Sequence, residues 1–467
     1  MKIEEPAPEH FLYRLWGDRS LVGRRMHTVD GRTVEVVACG TRNPDAGPDF
    51  RGATLIVDGK MCCGDIEIHP VAVDWYRHGH HRDPRYNSVV LHVVTMDVDP
   101  EERTLRQDGE EIPVLNLDQF LVKPAEQLAA EGQAPPGPEP VACALREASR
   151  PRILHIVELA GDERLNTKCM RYQEERLIDG WDQILYRGLA EALGYAKNQV
   201  AFRKLADRLP YAELSRAIRG LDADTAWVRA QAYLFGAAGL LPSEGSLVEA
   251  DHELRDFLGQ LRTEWEHFPY RRKIDPLHRE EWLFFRLRPQ NFPTRRIAAL
   301  AALAVRFHEH GFLGGLMRIV QAGQRRIPQV GRQLSASLTV ESDPFWRTHY
   351  CFDVSGSSPM TGGGKLVGPE RAADMVVNVV LPCLMAYARE TGDGQLQTLL
   401  AQVYVQAPLL AENAIVREMT LRLFGAQGKG VVDTACRQQG LIQLFKMLCQ
   451  RGPCARCLEH FEVPPAD

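Results

Sequence analysis

Long apolar runs are missing from this chain. None approaches the roughly 18 residues that a membrane helix needs, and the opening stretch MKIEEPAPEHFLYRLW has no apolar core of a secretory signal. The expectation is a cytoplasmic protein that engages no membrane. A disulfide framework is absent too. The 11 cysteines are scattered irregularly over 467 residues, which fits a reducing compartment. Neither sign of charge dominates: Lys and Arg total 56 against 61 Asp and Glu, a net charge of −5. That balance argues against a broad nucleic-acid footprint, although it allows a local basic channel. Several motifs fail as well. Thr361-Gly362-Gly363-Gly364-Lys365-Leu366 is no phosphate loop, because Pro359 and Leu366 stand where Gly and Ser or Thr are required. Ser355-Gly356-Ser357-Ser358-Pro359 is no nucleophile elbow, and no fixed-period repeat is visible.

What remains is 45% apolar and 25% charged usage, that of an ordinary globular protein. The length allows two to four domains at roughly 100–200 residues each. Residues 1–122 read as an α/β domain. A helix over Ala7–Trp16 sets Phe11, Leu12, Leu15 and Trp16 on one face, and β-branched runs follow at Thr33–Ala38, Ala53–Val57, Asp65–His69 and Ser88–Met96. A short helical segment holding Trp75 precedes the last of these, so the order is α, β, β, β, α, β. Lys123–Pro140 contains five prolines and no aromatic residue, and 123–142 reads as an extended linker. Helical spacing dominates 143–435, with periodic stretches at Ile153–Leu165, Trp181–Leu193, Tyr211–Ile218, Thr225–Phe235, Ser246–Phe268, Thr294–His310 and Asp374–Thr391. The Arg- and Glu-rich stretch Asp162–Arg187 reads as a solvated helix face. A cysteine-rich segment, 436–467, closes the chain.

The chemistry concentrates in Asn43–His69, NPDAGPDFRGATLIVDGKMCCGDIEIH. Alternation along a strand sends Asp65, Glu67 and His69 to one face and Ile66 and Ile68 to the other. Carboxylates gathered this way suit a hydrated Mg²⁺. Asp49 can join them only in one register of the hairpin that turns at Asp58-Gly59. A regular two-residue turn sets Asp49 opposite Ile68, on the wrong face. A three-residue loop with a bulge, or an equivalent bulge elsewhere, sets it opposite Glu67.

Pro48-Asp49, seventeen residues, then Glu67-Ile68-His69 resembles the PD-(D/E)xK nuclease superfamily, whose core runs αβββαβ. The resemblance implies an α+β chain: a restriction-endonuclease-like N-terminal domain followed by a larger all-α region. It implies that Asp49 and Glu67 hold Mg²⁺ or Mn²⁺, with Glu9 matching a glutamate on the first helix. The superfamily places a lysine two residues after the second acid to orient the attacking water; His69 stands there and would take that role. Asp65-Ile66-Glu67 also resembles an acid-x-acid variant, which would put Glu67 in the lysine's place, and Asp65 would otherwise complete the outer shell. Over a longer span the chain resembles a bacterial family known as domain of unknown function 2851. That likeness rests on Ala46-Gly47-Pro48-Asp49-Phe50, GDIEIH, Asp74–His80, Tyr86-Asn87 with LHVV, Arg288–Pro293 and Gln438-Gln439-Gly440-Leu441.

Three further clusters stand out. Trp75–Asp83 holds His78, His80 and His81 beside an acid. These either bind a transition ion, serve the carboxylate cleft, or stay unliganded; His92, in an apolar strand, reads as a hydrogen-bonded core residue. Cys436, Cys449, Cys454 and Cys457 fall within 22 residues, and they suit a structural zinc site or a 4Fe–4S cluster, with His460 as a substitute ligand. Basic pairs and triplets at Arg271-Arg272-Lys273, Arg295-Arg296 and Arg325-Arg326 read as solvated helix ends, or as a groove for a nucleic-acid backbone if they share a face. The expectation is a metal-dependent nuclease of DNA or RNA. The alternative is a non-catalytic nucleic-acid- or protein-binding scaffold that meets its partner through the helical domain.

Overall fold

The computed structural model describes residues 7–461 apart from 18–20, 22, 44–46, 97, 100–102, 122, 124, 131–142, 243–251, 286, 324–325, 353–363, 429 and 450–459. The chain forms two compact units, Met1–Glu147 with Lys446–Glu462, and Ala148–Phe445 with Val463–Asp467. The first is built on a sheet and the second is helical, so the α+β expectation holds.

In the first unit helix α1 (Glu9–Trp16) buries Phe11, Leu12, Leu15 and Trp16 as the spacing predicts. The strands are β1 (Arg25–His27), β2 (Thr33–Ala38), β3 (Thr41–Arg42), β4 (Phe50–Val57), β5 (Lys60–Ile68), β6 (Val89–Val94), β7 (Thr104–Leu105), β8 (Glu111–Ile112) and β9 (Val114–Asn116). The main sheet runs β1-β2-β4-β5-β6-β9, with β3 added beside β4. Pairing is antiparallel through β5, then parallel from β5 to β6 and from β6 to β9. A parallel pair needs a crossover; here it carries helix α2 (Asp74–Arg77) and two short 3₁₀ turns, His80–Arg82 and Pro84–Tyr86. Ile66 and Ile68 are fully buried with Leu12, Trp16, Leu55, Leu91 and Val93. Burial on that scale stabilises by about 1.5–3 kcal/mol per side chain. The β7–β8 hairpin clasps the crossover: Trp75 Nε1 donates to the Leu105 carbonyl at 2.9 Å and Tyr76 Oη to that of Arg103 at 2.6 Å.

Two expectations for this unit change. Strands β1, β3, β7, β8 and β9 are too short for periodicity to reveal. The linker begins as structure: Ala125–Ala130 is helix α3, with Ala125 and Leu128 in the sheet core. Its sequence AEQLAA is made of strong helix formers, and four of the five prolines come later, at 135–140, within 131–142, which lie outside the described residues.

The helical unit comprises α4 (Arg150–Arg176), α5 (Trp181–Leu193), α6 (Gln199–Arg208), α7 (Tyr211–Ile218), α8 (Ala223–Ala237), α9 (His252–Glu266), α10 (Pro293–Phe307), α11 (Gly311–Gly323), α12 (Ile327–Leu338), α13 (Pro344–Thr348), α14 (Pro369–Met375), α15 (Leu381–Glu390), α16 (Gly394–Val405), α17 (Ala414–Phe424) and α18 (Ala435–Leu444). Gly440 of α18 lies so close to α4 that a Cβ there would sit 1.8 Å from the Val157 carbonyl oxygen. The stretch Asp162–Arg187 is only partly a solvated face. Arg187 is buried and meets Asp207 at 2.6 Å and Glu175 at 3.2 Å, besides Asp179. Arg295 and Arg296 are buried as well, neither solvated nor in a groove. Arg295 donates to the carbonyls of Trp346, His349 and Gly364, and Arg296 to the Leu366 carbonyl, Tyr195 Oη and Asn291 Oδ1. Contrary to the expectation that no apolar run reaches membrane-helix length, among the described residues one helical run, Pro369–Glu390, is long and apolar enough to cross a membrane by length and composition, with mean hydropathy 1.3 over its window. Most of that window is buried inside the unit, as in a core helix.

Candidate functional site

The hairpin between β4 and β5 decides whether the two acids meet. Its turn is the regular two-residue kind: Asp58 and Gly59 have φ of 48° and 78°, and Val57 pairs with Lys60. That register holds to Ala53 opposite Gly64, then slips by one residue, so that Phe50 pairs with Ile66. The extra residue lies at Arg51-Gly52, where Gly52 takes φ of 66°. Continuing the shifted register sets Asp49 opposite Glu67. The bulge thus supplies what the turn does not.

Asp65 secures that bulge. Its Oδ1 accepts from Gly52 N–H at 2.9 Å and its Oδ2 from Ser88 Oγ at 2.6 Å, so its carboxylate is spent on the register. Asp49 and Glu67 are reciprocally tied: Asp49 N–H donates to Glu67 Oε2 at 3.0 Å, and Ile68 N–H donates to Asp49 Oδ2 at 3.0 Å. Arg42 Nη1 lies 3.3 Å from Asp49 Oδ1, while its guanidinium stacks over Tyr13 at 3.6 Å. Glu9, the first residue of α1, accepts from Tyr13 Oη at 2.9 Å.

The other oxygen of Glu67 points into a group of imidazoles. Oε1 lies 3.1 Å from His80 Nε2 and 3.5 Å from His69 Nε2. His78 Nδ1 lies 3.2 Å from the same His69 nitrogen. One ring nitrogen from each of His69, His78 and His80 falls within 4.8 Å of the others. On its far side His69 Nδ1 is 2.9 Å from His92 Nε2, and His92 Nδ1 is 3.4 Å from Thr104 Oγ1. His80 is held flat against Tyr86, ring centroids 3.9 Å apart, with Trp75 edge-on at 5.4 Å.

Burial governs the electrostatics. Desolvation, then the nearby charge of Glu67, pushes Asp49 up to about 7. Desolvation pushes Glu67 up to about 8, with Glu9 adding to the rise and the Asp49 backbone N–H opposing it. The imidazoles move the other way. Burial lowers His69 to about 2, helped by His92, His80 and His78, and burial lowers His80 to about 4 and His92 to about 3. At neutral pH the rings of His69, His80 and His92 are uncharged, and among the described residues Arg42 is the cation beside the acids.

The structure therefore brings Asp49, Glu67 and His69 together with Glu9 nearby, and separates Asp65 from them. His78 and His80 join from the histidine-rich stretch, and His92 is the hydrogen-bonded core residue expected. Arg42 and Tyr13 carried no signal in the sequence, because they enter from the short strand β3 and from helix α1. Of the four cysteines, Cys436 sits in α18 against the backbone of Gly161, where burial pushes its thiol up to about 12. Cys449 is buried at the end of the turn Phe445–Cys449. Cys454 and Cys457 lie outside the described residues. His460 is exposed beside Phe461.

Comparison with protein families matches residues 9–413 to proteins of unknown function, DUF2851. The chain belongs to the DUF2851 family. That span takes in the whole acid–imidazole site and most of the helical unit. No curated protein and no solved structure matches this DUF2851 chain, and the likeness to PD-(D/E)xK nucleases has no counterpart in these comparisons.

Proposed function

We propose that this DUF2851 protein is a divalent-metal-dependent hydrolase of phosphodiester bonds, acting on DNA or RNA. The observation that carries the reading is the bulge at Arg51-Gly52, which sets Asp49 across from Glu67 and beside His69. The element order α1, β2, β4, β5, α2, β6 also follows the core that the nuclease superfamily uses. Glu67 would hold a divalent ion, whose chemistry when bound would be to acidify a water and to stabilise charge on phosphate. Glu67 contributes Oε1 toward that ion while Asp49 N–H fixes its other oxygen. Asp49 presents a carboxylate one strand away, able to accept a proton near neutral pH. Arg42, half-exposed beside Asp49, offers a guanidinium to a phosphate oxygen. His69 does not act as the missing lysine would: both its nitrogens face other imidazoles, so it serves as a neutral ligand.

The test is cleavage of labelled single- and double-stranded DNA and RNA by the full chain with Mg²⁺, Mn²⁺ or Zn²⁺. Expected is metal-dependent cleavage that falls at least ~100-fold in Glu67→Gln. Folded protein that cuts no substrate with any of the three ions overturns the reading. The scaffold alternative then stands, and the absent lysine at position 69 is what favours it.

A further inference from the structure

We infer that the resident ion of this site is Zn²⁺, held by one ring nitrogen each of His69, His78 and His80 with Glu67 Oε1 alongside His80 and His69, and that the site discriminates against Mg²⁺. The inference deepens the hydrolase reading by naming the cation. Its support is geometric and independent of any turnover.

A tetrahedral zinc site with bonds of about 2.0–2.1 Å has ligand atoms about 3.3–3.4 Å apart. The ligand-to-ligand separations here are 3.2 Å for His78 Nδ1 to His69 Nε2, 3.5 Å for His69 Nε2 to Glu67 Oε1, and 3.1 Å for His80 Nε2 to Glu67 Oε1. Polar atoms come this close either because they hydrogen-bond, as His78 Nδ1 and His69 Nε2 do in the absence of an ion, or because they share a centre. His80 Nε2 does not hydrogen-bond: it is buried with no aligned partner, although Glu67 Oε1 lies 3.1 Å away. A buried nitrogen left in that state costs free energy unless something receives its lone pair.

The surrounding groups set the tautomer that coordination needs. A chain His69 Nδ1–His92 Nε2, then His92 Nδ1–Thr104 Oγ1, is consistent when each Nδ1 carries the proton. It leaves the lone pair of His69 Nε2 aimed at His78 and Glu67. Ligating histidines are held through their second nitrogen in this way. The chemistry of the donors selects the metal: three imidazoles suit Zn²⁺, whereas Mg²⁺ prefers oxygen ligands and keeps its waters. Asp49 is the oxygen donor a Mg²⁺ site would need, yet its carboxylate is already bound by Ile68 N–H and Arg42.

The experiment uses the full chain carrying Cys454→Ser and Cys457→Ser, so that a cysteine site cannot supply the signal. Metal content is measured by elemental analysis after dialysis, and Zn²⁺ affinity by titration against a chromophoric chelator. Expected is about one zinc per chain, unmoved by a large excess of Mg²⁺. His78→Ala, whose side chain is exposed, should lower zinc affinity at least ~100-fold while the melting curve of the metal-free protein is unchanged, and His92→Gln about 10–100-fold. Absence of zinc from the parent, full zinc in His78→Ala, or displacement by Mg²⁺ would each overturn the inference. Zinc bound without any cleavage would spare the site and end the hydrolase reading. Cleavage with Mg²⁺ in a zinc-free protein would do the reverse.

Discussion

Buried charge is handled in opposite ways in the two units. In the helical unit Arg295 and Arg296 are surrounded by carbonyl and hydroxyl oxygens, and Arg187 by three carboxylates. The terminal nitrogens of Arg295 and Arg296 find acceptors within their own fold, although the Nε of each is buried without a partner. In the sheet unit Asp49 and Glu67 are as deeply buried, but they lean on one another and on imidazoles that shed their protons. The first pattern is internal scaffolding, since charged hydrogen bonds there join distant segments. The second pairs two buried acids with one half-exposed guanidinium, Arg42, and burial of that kind is held at a cost. Carboxylate and imidazole burial, in other words, marks a site where guanidinium burial does not.

The contrast can be broken most forcefully in the helical unit. Arg295→Ala strands the carbonyls of Trp346, His349 and Gly364, and should cost about 3 kcal/mol or more, read from urea denaturation. Glu67→Gln should do the opposite: metal-free protein stays within about 1 kcal/mol of the parent or gains stability at pH 8, while metal binding and cleavage collapse. A loss of several kcal/mol in Glu67→Gln would make the two units alike and remove the distinction.

Proton linkage sharpens the same point. A carboxyl raised in the folded state contributes stability at low pH that disappears as pH rises through its folded value. Asp49 near 7 and Glu67 near 8 therefore cost the metal-free protein on the order of 2 kcal/mol between about pH 6.5 and 8. The imidazoles have lowered values, so their contribution is fully present above about 6.5 and is lost only as pH falls. Melting curves across that window should drop with rising pH, and saturating Zn²⁺ should abolish the drop.

Smaller effects test the supports. Asp65→Ala frees Gly52 N–H and Ser88 Oγ, and should cost about 1–2 kcal/mol with only partial loss of cleavage. Deleting Gly52 instead restores a regular hairpin, sets Asp49 opposite Ile68, and should eliminate cleavage while the β4–β5 pairing persists in circular dichroism. The smallest effect is expected at Cys436→Ala. Its thiol is packed against Gly161 and held protonated, so the change should cost about 1 kcal/mol and leave metal content unaltered.

Sequence patterning carried most of the fold here. Trp181–Leu193 and Tyr211–Ile218 appear at their expected ends, because long amphipathic runs declare both period and boundary. The short strands β7 and β9 did not, since two or three residues hold no period, and α3 was hidden by the prolines that follow it. The site was half legible. Alternation in GDIEIH assigned Glu67 and His69 to a face opposite Ile66 and Ile68, and the density of histidines after Trp75 marked the crossover.

Local residue order, then, was enough to determine which side chains of β5 are buried as core and which as chemistry, because a strand's two faces follow from its dihedral angles. Whether those groups form one centre was left to the folded chain. A single surplus residue at Arg51-Gly52 aligns Asp49, and a parallel crossover returns His78 and His80 over Glu67. Both depend on pairing between segments far apart in sequence, where small shifts in register carry no compositional signature.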